Sequence, residues 1–546
     1  MIEFEQKTKT LIDALKGICA SNGLGNNGNE YKVIIQSFLY KFLNDRFIYE
    51  IKKIDKKFQK NVDFEKEYRQ LNEDKQKMLL AQLPPQIAVL KSEHLISNLY
   101  KQQRENNFSN LFDDTLKDIA LINNDIFSVV TDSGSKIILF DEISKIIIDP
   151  SKRDNFCRAL INQLVGFTFE NVFDEKFDFF SSIFEYIIKD YNKDTGGMYA
   201  EYYTPYAVSK IISKILIPDT QKNKLKNISC YDPSAGSGSL LMSLSHEIGE
   251  KRCSIFSQDI SQKSSDLLRL NLIINSLVHS IKNIIQGNTI LHPFHKDNNE
   301  LKKFDYIVSN PPFKMNFSDY REELFNEDNQ QRFFAGIPNV PPKKKDNMPI
   351  YQLFLQHILF SLNHKGKAAI VVPTGFLTAG GIDEKIRKYI IENKILSGVV
   401  TLPSDIFAST GTNVSIIFID KENNKHPVLV DASLLGVTIK QGKNKKTFLK
   451  KEDENKIINA FNSLENIEDF SAIIPFQEFE NKNYSFSAGQ YFLVNIKYED
   501  ISDKEFKIKL EEHKKNIKEF SEKAKDIEKS IYVGIEKIDN EYIKKI

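Results

Sequence analysis

Residues 227–241 read NISCYDPSAGSGSLL: a β-prone run that stops at Asp232, a turn with glycines at 236 and 238, and then residues at helical spacing. Glycines in such a turn let the backbone approach a ligand and leave amides exposed at the start of a helix. The turn lacks the third glycine of a dinucleotide fingerprint and the Gly-Lys-Ser/Thr of a phosphate loop, which disfavours pyrophosphate and ATP. A cofactor without phosphates remains, with Asp232, Ala235, Gly236, Ser237, Gly238 and Ser239 around it. Outward from this turn, short β-rich runs alternate with helical ones: NISCYD, RCSIFSQD, IKNIIQG, FDYIVS, KAAIVVP, SGVVTLP and VSIIFID, with the apolar helix DLLRLNLIINSLV between the second and third. Seven such strands predict an α/β chain with an open, doubly wound sheet that binds its ligand at the carboxyl ends of the strands.

Those ends carry polar groups. Asp259 closes the second strand, where a carboxylate can accept both ribose hydroxyls of an adenosyl group; it can equally cap the next helix. Asn288, after the third strand, offers an amide to an adenine edge or serves as a turn residue. After the fourth strand comes Ser309-Asn310-Pro311-Pro312-Phe313. Prolines stiffen the chain and supply no amide hydrogen, so nearby carbonyls are left to face a ligand. An aromatic amine is a poor nucleophile because its lone pair is delocalised into the ring. The Asn310 side-chain carbonyl and the Pro311 backbone carbonyl, accepting its two hydrogens, would redirect that lone pair toward a methyl sulfonium. Phe313 offers a ring on which an extruded base stacks. Taken alone, NPPF is as readily a rigid turn.

Up to about Asp194 the spacing is helical, as in YKVIIQSFLYKFLNDRF (31–47), LLAQLPPQIAVL and FDFFSSIFEYIIKDY, which predicts an all-helical region. After Asp420 come a strand-like PVLVDAS, a Lys-rich loop at Lys440 to Lys446, and a polar tail. In that tail Leu510, Ile517, Phe520, Ala524, Ile527 and Ile531 form an apolar stripe with three-four alternation, either packed on its own domain or docked on a partner. The expected organisation is a helical domain at 1–194, a catalytic domain at 195–425, an extension at 426–500 and a helix for partner contact at 501–546. The chain has 546 residues with 75 basic and 74 acidic side chains, so nucleic-acid contact would be local or shared with a partner. Four cysteines stand far apart without metal spacing, and no stretch is apolar enough to span a bilayer. A reduced cytoplasmic protein without metal or membrane association is expected.

Upstream of the first strand stands GMYAEYYTP (197–205). The order of this element, glycine turn, acid, polar residue and NPPF resembles the adenine-amino DNA methyltransferases. The segments EYKVIIQSFLYKFLNDRF, FEYIIKDYNKDTGGMYAEYYTP, DPSAGSGSLL, NPPFKMNFSD, RFFAGIPNVPPKKKDNMPIYQLFLQHILFSL, AAIVVPTGFL, VVTLPSDIFASTGTNVSIIFID and SFSAGQYF together resemble the modification subunit of type I restriction-modification systems, a resemblance that spans about Lys9 to Val494. The resemblance implies a Rossmann-like, seven-stranded S-adenosylmethionine-dependent fold that methylates the N6 amino group of adenine in DNA. It implies DNA and a specificity subunit as partners, often two modification subunits to one, with a restriction subunit also available to the complex. It assigns Asn310, Pro311, Pro312 and Phe313 to catalysis. It assigns Ala200, Glu201, Tyr202, Tyr203, Thr204, Pro205, Asp232, Ala235, Gly236, Ser237, Gly238, Ser239, Asp259 and Asn288 to the cofactor. Tyr202 stands where the family often has Phe, Ala235 where it often has Cys, and Asn288 where an acid is common. Methylation of the cytosine amino group or of a protein glutamine are the rival chemistries.

Overall fold

The computed structural model of the chain describes residues 2–25, 28–59, 63–170, 173, 183, 186, 204–407, 413–441, 444–492 and 502–543. Its strands in chain order are β1 (Val129–Thr131), β2 (Lys136–Ile137), β3 (Ile228–Asp232), β4 (Cys253–Asp259), β5 (Ile284–Gln286), β6 (Lys296–Asp297), β7 (Glu300–Leu301), β8 (Phe304–Ser309), β9 (Leu362–Pro373), β10 (Leu396–Thr401), β11 (Val414–Asp420), β12 (Val428–Asp431), β13 (Val437–Gln441), β14 (Asn444–Phe448) and β15 (Ser471–Ile473). One 11-stranded sheet runs β15, β12, β10, β11, β9, β8, β3, β4, β5, β1, β2. The seven expected strands form its middle. From β5 to β9 all neighbours are parallel, whereas β11 runs antiparallel between β9 and β10.

The sheet is covered on both faces, and its side chains divide between two cores in an alternation broken only near Phe304 and Leu396, where the register shifts. Cys230, Tyr306, Val308, Ala369 and Val371 enter one core, which continues into the N-terminal helices through residues such as Phe38, Phe112 and Phe156. Tyr231, Ile307, Ala368, Ile370 and Val372 enter the other, with the helices Tyr351–Ser361 and Ile382–Glu392. Period-two alternation with both halves apolar is what a doubly covered parallel sheet requires.

Three expectations change. The region before residue 194 is not wholly helical: β1 pairs in parallel with β5, Val130 beside Ile285, and β2 turns back on β1. LLAQLPPQIAVL is helical only to Leu80, because Pro84 and Pro85 cannot continue the backbone ladder. The Lys-rich segment at 440–446 is mostly strand, forming with its neighbours the antiparallel pair β13 and β14 outside the main sheet. The helix expected at 177–191 lies outside the described residues, apart from Ile183 and Tyr186.

Residues Met1–Phe492 form one compact unit and Leu493–Ile546 a second. The described part of the second is a single helix, Asp503–Ile543, of 41 residues. At 1.5 Å per residue it is about 60 Å long. Leu510, Ile517, Phe520, Ile527 and Ile531 are exposed along it.

Gly398 shows how tightly the middle of the sheet is packed. A Cβ there would fall on the Val428 carbonyl and within 2.6 Å of the Phe461 ring. Gly398→Ala is therefore expected to lower stability by about 1–3 kcal/mol, as overpacked cores do, read from urea midpoints. An unchanged midpoint would show that β10 and β12 can separate without cost.

Candidate active site

β3 and β8 are parallel neighbours, with Cys230 beside Tyr306 and Tyr231 beside Ile307. The next strands in sequence lie on opposite sides, β4 beyond β3 and β9 beyond β8, so the connections part and leave a crevice at the carboxyl edge. Asp232 ends β3 on one side of it; Asn310 follows β8 on the other. The Ser234 and Ser309 hydroxyls meet across it at 2.7 Å.

On the Asn310 side, the amide Nδ2 donates to Thr204 Oγ1 at 3.3 Å. Thr204 is buried and precedes Pro205, from which the helix Tyr206–Leu216 starts. With the amide nitrogen on Thr204, the Asn310 carbonyl oxygen is an acceptor without a partner among the described residues. Pro311 is buried, and Pro312 and Phe313 are half-buried. The Phe313 ring stands edge-on to Tyr351, with centroids 6.4 Å apart. Tyr351 is itself fixed by its hydroxyl, which donates to the Asp383 carboxylate at 2.8 and 2.9 Å.

On the glycine-turn side, Gly236 and Gly238 have φ of +53° and +80°, which a side chain would strain. The Gly236 amide does not stay free: it donates to Asp259 Oδ2 at 2.9 Å, while Ser261 N donates to Oδ1 at 2.9 Å. The Ser264 side chain also bonds this carboxylate, which retains acceptor capacity beyond these three donors. Ser261, rather than Asp259, caps the helix Gln262–Ile274. The Ser237 and Ser239 hydroxyls lie 3.0 Å apart, and the Ser237 carbonyl accepts from Asn271. Ala235 is buried. The Asn288 oxygen is committed to its own turn, accepting from Ile290 N at 3.0 Å and Leu291 N at 3.2 Å. Its neighbour Thr289 ties this turn to the first loop by donating to the Pro233 carbonyl at 2.7 Å. Thr204, Asp232, Asp259, Asn288 and Asn310 therefore stand on loops bonded to one another or to adjacent strands. Ala200, Glu201, Tyr202 and Tyr203 lie outside the described residues.

Sequence reasoning missed Arg332. Its side chain is fully buried, and among the described residues no carboxylate pairs with it. It donates to the Thr289 carbonyl at 2.7 Å, the Ile290 carbonyl at 2.8 Å, Asn329 Oδ1 at 3.2 Å and His357 Nδ1 at 3.0 Å. A guanidinium only donates, so His357 is neutral with its proton on Nε2, facing the Tyr231 hydroxyl at 3.2 Å. Burial pushes the His357 imidazole well below its usual range and pulls Arg332 down to about 9. Arg332 belongs to the segment after NPPF yet holds the turn after β5. The only sequence signal was an Arg inside an otherwise apolar RFFAGIP.

The profile of the N-6 DNA methylase family matches residues 175–500, more than half of the chain. The chain belongs to the N-6 DNA methylase family. As a member it is a DNA methyltransferase directed at the adenine N6 amino group. It is 24% identical over 555 aligned positions to the type I restriction enzyme MpnII methylase subunit of Mycoplasma pneumoniae, covering 98% of this chain and 97% of that one. With the MjaIX methylase subunit of Methanocaldococcus jannaschii the identity is 27%, covering 72% of this chain and 69% of that one. The fold matches the type I restriction-modification methyltransferase subunit of Streptococcus thermophilus with a TM-score of 0.70 at 19% identity, over 89% of this chain and 99% of that one. Among the described residues no helix is long and apolar enough to cross a membrane.

Burial lifts Asp232 from its ordinary 3.8 to about 7, against lowering bonds from the Ser234 amide and the Ser309 hydroxyl. A carboxyl whose pKa is raised by folding contributes stability that is fully present below the unfolded value and is lost as pH rises through the folded one. Stability should therefore fall between about pH 4 and pH 7 in the wild type. Asp232→Asn, which cannot ionise, should flatten that fall in a series of urea titrations. Parallel pH profiles would remove Asp232 as its source.

Proposed function

We propose that the chain transfers the methyl group of S-adenosylmethionine to adenine N6 as the modification subunit of a type I system, with DNA sequence read by a separate specificity subunit. The observation that carries this reading is Asn310: its amide nitrogen donates to Thr204, its carbonyl oxygen has no partner among the described residues, and it directly follows Ser309, whose hydroxyl meets that of Ser234 in the glycine turn. The donor set fits the cofactor. Residues 232–239 contain no Lys or Arg for phosphates, and the Asp259 carboxylate retains acceptor capacity for the ribose hydroxyls. Asn288 would meet the adenine edge through Nδ2, since its oxygen is in use. Thr204, Pro205, Asp232 and the turn from Ala235 to Ser239 complete the cradle, with Ala200 to Tyr203 leading into it.

S-adenosylmethionine supplies an electrophilic methyl group on a sulfonium. Asn310 and Pro311 accept the two hydrogens of an extruded adenine amine, which localises its lone pair for in-line attack. Pro312 holds the turn rigid and Phe313 stacks the base, so that orientation does most of the catalytic work. The product's extra proton passes to solvent. In this reading residues 195–425 carry out catalysis, 1–194 are an N-terminal domain, 426–500 a C-terminal extension, and 501–546 contact the partner. The full complex pairs two such chains with one specificity subunit and admits a restriction subunit.

Asn310→Ala should reduce methyl transfer on the order of a hundredfold or more, by analogy with loss of one oriented polar group in an active site. Calorimetric affinity for S-adenosylmethionine should survive. The assay uses tritiated methyl transfer by the chain expressed with its neighbouring reading frames. Substantial transfer by the variant, or complete loss of cofactor binding, would falsify the role of Asn310.

The long C-terminal helix generates a second test. An exposed apolar stripe on a helix of this length suits a coiled-coil partner, and no sequence-reading motif is recognisable in the near-neutral sequence. Purified alone, it should bind DNA weakly and without sequence preference. Ile517→Asp with Phe520→Asp should abolish capture of the specificity subunit in a pull-down while cofactor affinity is kept, because charge in an apolar seam is costly to desolvate. Full complex formation by that variant sinks the docking role.

A further inference from the structure

Between Asp431 and Glu452 the chain carries six lysines, Lys440, Lys443, Lys445, Lys446, Lys450 and Lys451, and no acidic residue. In a chain of net charge +1 this is a strong local concentration of one sign. The middle of the run is the ribbon of β13 and β14, in which Lys440 lies directly opposite Lys445 and Thr438 opposite Thr447. Because side chains alternate along a strand, these four share one face. Lys440, Lys445, Lys450 and Lys451 are exposed, and on the other face Val437, Ile439 and Phe448 are exposed as well. A two-stranded ribbon with so little packing is marginal in water on its own.

Its root is fixed at one place. The Thr447 amide donates to the Asp405 carbonyl at 2.9 Å, and its hydroxyl donates to the Ser404 carbonyl at 2.7 Å. Ser404 and Asp405 follow the carboxyl end of β10. The register carries that end to the same edge of the sheet as Ser309, since Thr401 lies beside Ser415, Ser415 beside Val372, and Ile370 beside Ser309. From β8 to β10 is three strand spacings, about 14 Å. The ribbon is thus rooted beside the crevice that receives the target base.

We infer that the β13–β14 ribbon is a DNA-contacting arm, lying in a groove of the duplex beside the target adenine with Lys440 and Lys445 against backbone phosphates. A major groove about 12 Å wide admits a two-stranded ribbon, and the polyanion complements the run of lysines. The inference rests on the reading of DNA as substrate and adds which part of this chain holds it.

The test is binding of a fluorescein-labelled duplex by the full chain across a series of salt concentrations. Each lost phosphate contact lowers the slope of log K against log salt by about 0.9, so Lys440→Gln with Lys445→Gln should lower it by about 1.8, and each single variant by about half of that. Lys251→Gln with Lys282→Gln removes the same charge from exposed sites at the amino ends of β4 and β5, and should keep the wild-type slope. Calorimetric affinity for S-adenosylmethionine should be equal in all, which certifies the fold; the single variants decide the matter if the double variant fails that check. A wild-type slope in the ribbon variants, an equal loss in the control, or no duplex binding by the wild type at low salt overturns the inference. If the wild type labels adenine while the ribbon variants keep its slope, the ribbon falls alone. If the wild type with its partner labels no adenine, the substrate reading falls and takes the ribbon with it.

Discussion

The hydroxyls of Ser234 and Ser309 touch where the connections after β3 and β8 turn away from each other. At this reversal four loops gather at the carboxyl edge: the glycine turn after β3, the Asp259 corner after β4, the Asn288 turn after β5 and the proline turn after β8. Each is pinned by a bond to a neighbour, Gly236 to Asp259, Thr289 to Pro233 and Asn310 to Thr204. The chemistry needs a methyl donor and an amine in line with each other. In the proposed reading, loops fixed at the strand ends on either side of one reversal would supply that geometry without any moving catalytic base.

Much of this was legible in the sequence because parallel strands buried on both faces read as unbroken apolar runs, and each run here stops at a polar residue. Asp232, Asp259 and Asn310 were found by standing at those stops. The order of strands was not, because nothing in VSIIFID marks it as running antiparallel between β9 and β10; pairing partners are set by tertiary packing. VVT at 129–131 is too short to stand out from the helices around it, although it extends the sheet beside β5. In LLAQLPPQIAVL the apolar spacing continues past Pro84 and Pro85, and the missing amide hydrogens override it. The density of lysine at 440–446 read as a loop because exposed charge hides strand alternation, while Thr438 and Thr447 carry the pairing. Position placed Asp259 at a strand end but gave no sign that it accepts the Gly236 amide.

Arg332 joins what the sequence keeps apart. The segment that follows the proline turn, through the helix Tyr351–Ser361, reaches across to the carbonyls of Thr289 and Ile290 by one buried cation with no acid to compensate it among the described residues. Removing those two acceptors would leave the guanidinium only Asn329 and His357 as partners, so opening one side while the other stays closed is costly. The target side and the cofactor side then behave as a single cooperative unit of local unfolding. A half-assembled pocket, able to grip one substrate but not to present the other, is not a state this molecule can populate cheaply.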